Sequence, residues 1–181
     1  MKILKYLIEA IIIYILFFLF KIIGLNLSRK ISSAIITKIG FIFRKKKIIK
    51  KNILNVFKNY SETEIDRLIK SMWLNYSNIF AEYIHLNKFR LNKFKEDYME
   101  VQGIENLNKI KKNNKPAIFI SGHFGNFELM AMELEKRDIN LSAIYRPLNN
   151  IFLNPLMVYL RKKYICKNQI KKGLSGTRES I

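Results

Sequence analysis

The chain has 181 residues, enough for one ordinary domain with a real core and too few for two independent ones. Lys and Arg number 33 against 14 acidic residues, a formal charge of +19, while 49% of residues are hydrophobic; that pairing excludes a disordered basic tail and points to anionic partners. Lysines interleaved with long apolar runs favour a membrane surface over nucleic acid, and a single cysteine, Cys166, excludes an internal disulfide or a cysteine-cluster metal site.

Residues Ala10 to Phe20, "AIIIYILFFLF", are uncharged and apolar, and the run continues past Lys21 to Leu25. A bilayer core about 30 Å thick needs about 20 such residues, with flanking Lys5, Glu9 and Lys21 near the ends. An uncleaved N-terminal membrane anchor over residues 1–27 follows, a transmembrane helix by its length. The competing signal-peptide reading lacks a small-x-small cleavage site. Basic residues after this run, Arg29, Lys30, Lys38 and "RKKKIIKK" from Arg44 to Lys51, outnumber Lys2 and Lys5 before it, placing the body in the cytoplasm.

Residues 28–100 read as a helical, basic, membrane-associated region. Ile31 to Phe43 is too short for a second span and reads as an interfacial or core helix, and the lysine cluster as lying on lipid phosphates or on a solvated face. Ser61-Glu-Thr-Glu64 fits a capping box, followed by an apolar stripe at three-and-four spacing from Ile65 to Tyr83. His85, near the end of that helix, reads as structural or exposed rather than as a ligand.

From residue 101 the pattern changes to helix at Gly103 to Asn114, strand at "KPAIFISGH", helix at "NFELMAMELEKR", strand at "INLSAIYR" and helix at "NIFLNPLMVYLRKKY". Alternation of this kind predicts an α/β fold with a parallel sheet. The expected strand Ala117 to Ser121 ends at Gly122, and Asn126 is expected to cap a helix from Phe127. His123 then sits in a strand-to-helix turn, where Gly122 and Gly125 allow close folding. On a continuous helix, positions five apart would be about 140° apart, whereas in a turn His123 and Glu128 can converge. Pairing that strand with Leu141 to Tyr145 in parallel would put both C-terminal ends on one sheet edge and land Arg146 beside His123. A base, a carboxylate and an anion-binding guanidinium would share one site, with backbone N–H groups at the helix start to hold an oxyanion. No further ligand accompanies His123 and Glu128, so no metal is expected.

His123-Phe-Gly-Asn-Phe-Glu128 resembles the His-x-Gly-Asn-Trp-Glu signature of the bacterial lipid A biosynthesis acyltransferases, with Phe127 in place of the usual Trp. "KKNILNVF", the Ser61-capped helix with Glu82, "VQGIENL", "AIYRPLNN" and "KKGLSGTRE" are similar to that family's surroundings. The resemblance implies an inner-membrane enzyme of the glycerolipid acyltransferase superfamily, with residues 101–181 the N-terminal part of its α/β core. It would move a fatty acyl group from acyl carrier protein, or less commonly coenzyme A, to a hydroxyl of a lipid A precursor without a cofactor. His123 would be the general base, Glu128 its partner, and Gly125, Asn126 and Arg146 the lining of the acceptor pocket. That family's domain continues beyond "GTRESI", where a further helix is due, so a C-terminally truncated member is expected. Two alternatives stay open: an inactive membrane-anchored remnant that binds anionic lipid, and an acyltransferase for another glycolipid or lysophospholipid acceptor.

Overall fold

The apolar run at the N-terminus forms helix α1 (Lys2–Ile23), which ends where Gly24 takes a φ of 80°, a backbone conformation costly for residues with a Cβ. In the computed structural model, which describes residues 1–93, 98–113, 115–173 and 176, helix α2 (Leu25–Phe43) begins at once. The Ser28 hydroxyl lies 3.0 Å from the Phe20 carbonyl oxygen and 2.6 Å from that of Gly24, serving carbonyls left open where α1 stops. Helices α3 (Lys46–Val56), α4 (Glu62–Tyr83), α5 (Leu86–Arg90), α6 (Ile104–Asn113) and α7 (Glu128–Lys136) follow, then strand β1 (Ser142–Tyr145), helix α8 (Asn154–Tyr164) and strand β2 (Asn168–Lys171). The chain divides into two compact units, one of residues 14–85 and one of residues 1–13 with 86–181.

Within residues 14–85, α2 and α3 pack on α4. The closest approach uses small residues rather than the large apolar stripe: Ser28, Ser32 and Gly40 of α2 and Ser77 and Ala81 of α4 are buried, and the Ser32 hydroxyl donates to the Ser77 carbonyl at 2.8 Å. Trp73 lies flat over Gly40, where a Cβ would stand 2.4 Å from its ring. The capping box opens α4 as its sequence predicts, with the Glu64 N–H donating to the Ser61 hydroxyl and the Ser61 N–H to the Glu64 carboxylate at 2.7 Å. Lys46 pairs with Asp66 at 2.6 Å and Lys50 with Glu62, so two lysines of the basic cluster bind α4 rather than facing outward alone. Arg29 on α2 donates to the buried Glu82 carboxylate at 3.0 Å through Nε. His85 is buried.

In the other unit α5 packs on α7 and α8, and β1 and β2 pair in parallel with Ser142 opposite Asn168 and Tyr145 opposite Lys171. The α8 helix connects them, since parallel strands need a long crossover. Arg90 donates to the Glu135 carboxylate and to the Tyr164 carbonyl, each at 3.0 Å, tying α5, α7 and α8 together. Cys166 is fully buried, and its thiol donates to the Leu141 carbonyl at 2.9 Å.

Two expectations are corrected here. Residues 117–121 join no ladder among the described residues; Ile118 and Ile120 are each 91% exposed, and the partner of β1 is β2. An apolar run records a preference for burial without naming its neighbour, and a strand exists only where a partner offers its backbone. Among the described residues the class is therefore mostly helical with a two-stranded parallel sheet, a smaller sheet than the alternation predicts. Secondly, α7 starts at Glu128 with Phe127 in the cap position and no side-chain cap, so the Asn126 side chain does not play that part; the Asn126 carbonyl instead accepts from the Leu129 N–H at 3.0 Å. Leu174, Ser175 and residues 177–181, with most of "KKGLSGTRE" and the helix expected at "GTRESI", lie outside the described residues.

Candidate active site

The turn into α7 carries the candidate residues. Gly125 has a φ of 52°, in the left-handed region, and a Cβ built there meets nothing within 4 Å; the requirement for glycine is conformational rather than steric. His123 and Gly125 are exposed and Asn126 is half-buried. The His123 ring rests on Phe127, centroid to centroid 4.2 Å, tilted by 55°. An aromatic at position 127 thus seats the imidazole at the mouth of the turn.

Glu128 points the other way, into the protein. It is 7% exposed, and Arg161 of α8 grips it, with Nε 3.1 Å from Oε1 and 3.0 Å from Oε2, and Nη2 2.5 Å from Oε1. A carboxylate buried this deeply needs a charged partner, and the planar fork of arginine suits both oxygens at once. His123 and Glu128 are not hydrogen bonded to each other in this conformation. Arg161 also lies over the Tyr145 ring at 5.9 Å, so it links the start of α7 to the end of β1. Arg146 follows Tyr145 and is exposed. The shared sheet edge expected to bring Arg146 beside His123 is absent, because residues 117–121 are not paired with β1.

Arg161 is the neighbour of Glu128 that sequence reasoning missed. Its signal was present: Leu160 on α8 is buried, Met157 and Tyr164 are half-buried, and Arg161 is covered like them rather than exposed like Lys162 and Lys163. A charged residue on a core-facing stripe demands a buried counter-charge.

The model of the bacterial lipid A biosynthesis acyltransferase family matches residues 1–171. The chain belongs to that family. No curated protein and no solved structure gives a significant match. Membership makes the chain an acyltransferase by family, and its N-terminal apolar helix is long and apolar enough to cross a membrane.

Proposed function

We propose that the chain transfers a fatty acyl group from acyl carrier protein to a hydroxyl of a lipid A precursor at the cytoplasmic face of the inner membrane. The observation that carries this reading is the exposed His123 at the mouth of a glycine turn, five positions before a buried carboxylate, inside the stretch matched by the family. His123 accepts the proton of the acceptor hydroxyl as its oxygen bonds to the thioester carbonyl carbon. The tetrahedral oxyanion collapses, the carbon–sulfur bond breaks, and the proton passes to the departing thiolate. Backbone N–H groups at the start of α7 and the exposed Arg146 supply positive charge for the oxyanion and for phosphates of the acceptor. Gly125 and Asn126 line the acceptor side. Glu128, held by Arg161, keeps lone pairs for the imidazolium once the His123 ring turns off Phe127. The donor is acyl carrier protein, whose acidic surface suits a chain of charge +19, with coenzyme A the other thioester of the same chemistry.

Loss of a general base costs about 10²- to 10⁴-fold, so membranes carrying His123→Ala should acylate a tetra-acylated lipid A precursor slower by that factor than membranes carrying the unaltered chain. Equal rates defeat the proposal. One observation favours a second reading, a non-catalytic chain that binds anionic lipid: Glu128 is engaged by Arg161 and not by His123. Equal rates with unchanged lipid binding would select it.

A further inference from the structure

In each unit the turns of α1 that belong to it show one covered and one exposed face. Tyr6, Ala10, Ile13, Phe17 and Phe20, at four-and-three spacing, lie against protein; Ala10, Phe17 and Phe20 are between 1% and 4% exposed. On the opposite side Leu4, Ile8, Ile11, Ile15, Phe18 and Ile22 repeat with the same spacing and are 49% to 67% exposed. Nor is the covered face a matter of apolar contact alone. Asn150, buried in the loop after β1, donates to the Tyr6 carbonyl at 2.8 Å and to the Glu9 carboxylate at 3.3 Å. Further along, the Phe17 and Phe20 rings stand 5.0 and 6.1 Å from that of Phe80 on α4.

A helix crossing a bilayer cannot keep such contacts. Crossing takes about 30 Å of hydrocarbon, and irregular backbone such as the Asn150 loop is not tolerated facing lipid there. If residues as far as Ala10 stay with that loop, Ile11 to Ile23 can cover only about 20 Å at the helical rise. We propose that α1 is an in-plane anchor: it lies along one leaflet with the Leu4-to-Ile22 stripe in the acyl region, and does not cross. Lys2, Lys5 and Lys21 sit at its two ends, where ammonium groups meet lipid phosphates. The occupant of the exposed stripe is thus the surface of an anionic bilayer, chosen by the apolar length of the stripe and the cations at its ends. This inference rests on the membrane reading proposed above.

Single-cysteine labelling tests it, because the native Cys166 is fully buried and the unaltered chain serves as the blank. Lys2→Cys on α1 and Lys112→Cys on the exposed side of α6 are expressed separately and treated with a membrane-impermeant maleimide, on intact spheroplasts and after opening the membrane; Ile3→Cys repeats the α1 position in case Lys2→Cys disturbs folding. The expected result is that the chain pellets with membranes and both α1 positions label from the same side as Lys112→Cys. Label on opposite sides overturns the in-plane anchor and leaves the membrane reading standing. A chain that stays in the soluble fraction overturns the membrane reading and this inference with it.

Discussion

Replacing Arg161 by alanine removes the guanidinium from a carboxylate that the fold keeps from water. The Arg161 side chain is 16% exposed and that of Glu128 9%, so neither charge is well solvated, and three nitrogen–oxygen distances of 3.1 Å or less join them. Breaking one partner of such a pair costs about 3–5 kcal/mol, since the remaining charge keeps its desolvation penalty and loses its compensation. For a chain of this size each kcal/mol moves the midpoint by about 2–4 °C, so a fall of about 6–20 °C is expected. Thermal unfolding followed by far-UV circular dichroism in lipid nanodiscs measures it. The apolar double variant Arg161→Met with Glu128→Leu should recover most of the loss, because replacing both charges removes both penalties. It should not recover acyl transfer, because the carboxylate proposed to steady the imidazolium is gone. A midpoint for Arg161→Ala within about 2 °C of the unaltered chain would refute the reasoning, as would a double variant no more stable than the single one.

Ser61→Ala removes one arm of the capping box and should cost about 1 kcal/mol in urea unfolding, with Glu64→Ala adding little beyond it because the two arms act together. Gly40→Ala pushes a methyl group to within 2.4 Å of the Trp73 ring, so the ring or the helix has to shift; a loss of about 1–3 kcal/mol is expected, read by tryptophan fluorescence during unfolding. Burial pushes the Cys166 thiol above its ordinary value. Its folded value then exceeds its unfolded one, so the associated stability is present below the ordinary thiol range and falls as pH rises through the folded value. Comparing the pH dependence of the unfolding midpoint with that of Cys166→Ala isolates this slope, and identical slopes would refute it.

Local signals were legible and pairwise ones were not. Ser61 and Glu64 define the start of α4 because both hydrogen bonds of the box lie within four residues, and the sequence shows both partners. The α1 run is likewise readable from residue type. The strand expected at Ala117 to Ser121 has the right composition and finds no partner among the described residues, whereas β2, "NQIK", is three-quarters polar and gives no alternation, yet pairs fully with β1. Pairing depends on what else reaches the edge, which no window of sequence contains. The α2–α4 contact was hidden for a different reason: Ser28, Ser32, Ser77 and Ala81 register as neutral in any hydrophobic pattern, although their smallness is what allows the helices to close, while Tyr76 on the expected stripe is 54% exposed. At the site, His123 and the glycine turn could be placed from the motif, but the direction of Glu128 could not, because that was decided by an arginine 33 residues away.

The charge of the chain acquires a location from these pairs. Glu82 faces Arg29, Glu128 faces Arg161, and Glu133 faces both Lys136 at 2.5 Å and Arg137 at 3.2 Å. Burying a carboxylate forces a cation in with it, so the interior cancels its own charge and the net +19 is carried by the surface. Among the described residues, Arg44, Lys45, Lys47 and Lys51 have no carboxylate within 4.0 Å, while Lys46 and Lys50 between them do. A surface of one sign repels itself and weakens the folded state, and an anionic bilayer relieves that repulsion at about 1 kcal/mol for each lysine or arginine brought near it. Binding to anionic lipid, as the proposed function requires, would therefore stabilise the fold by linkage. Excess basic residues that look like a compositional bias in the sequence become, once the acids are accounted for, a cationic surface of the kind the proposed membrane reading calls for.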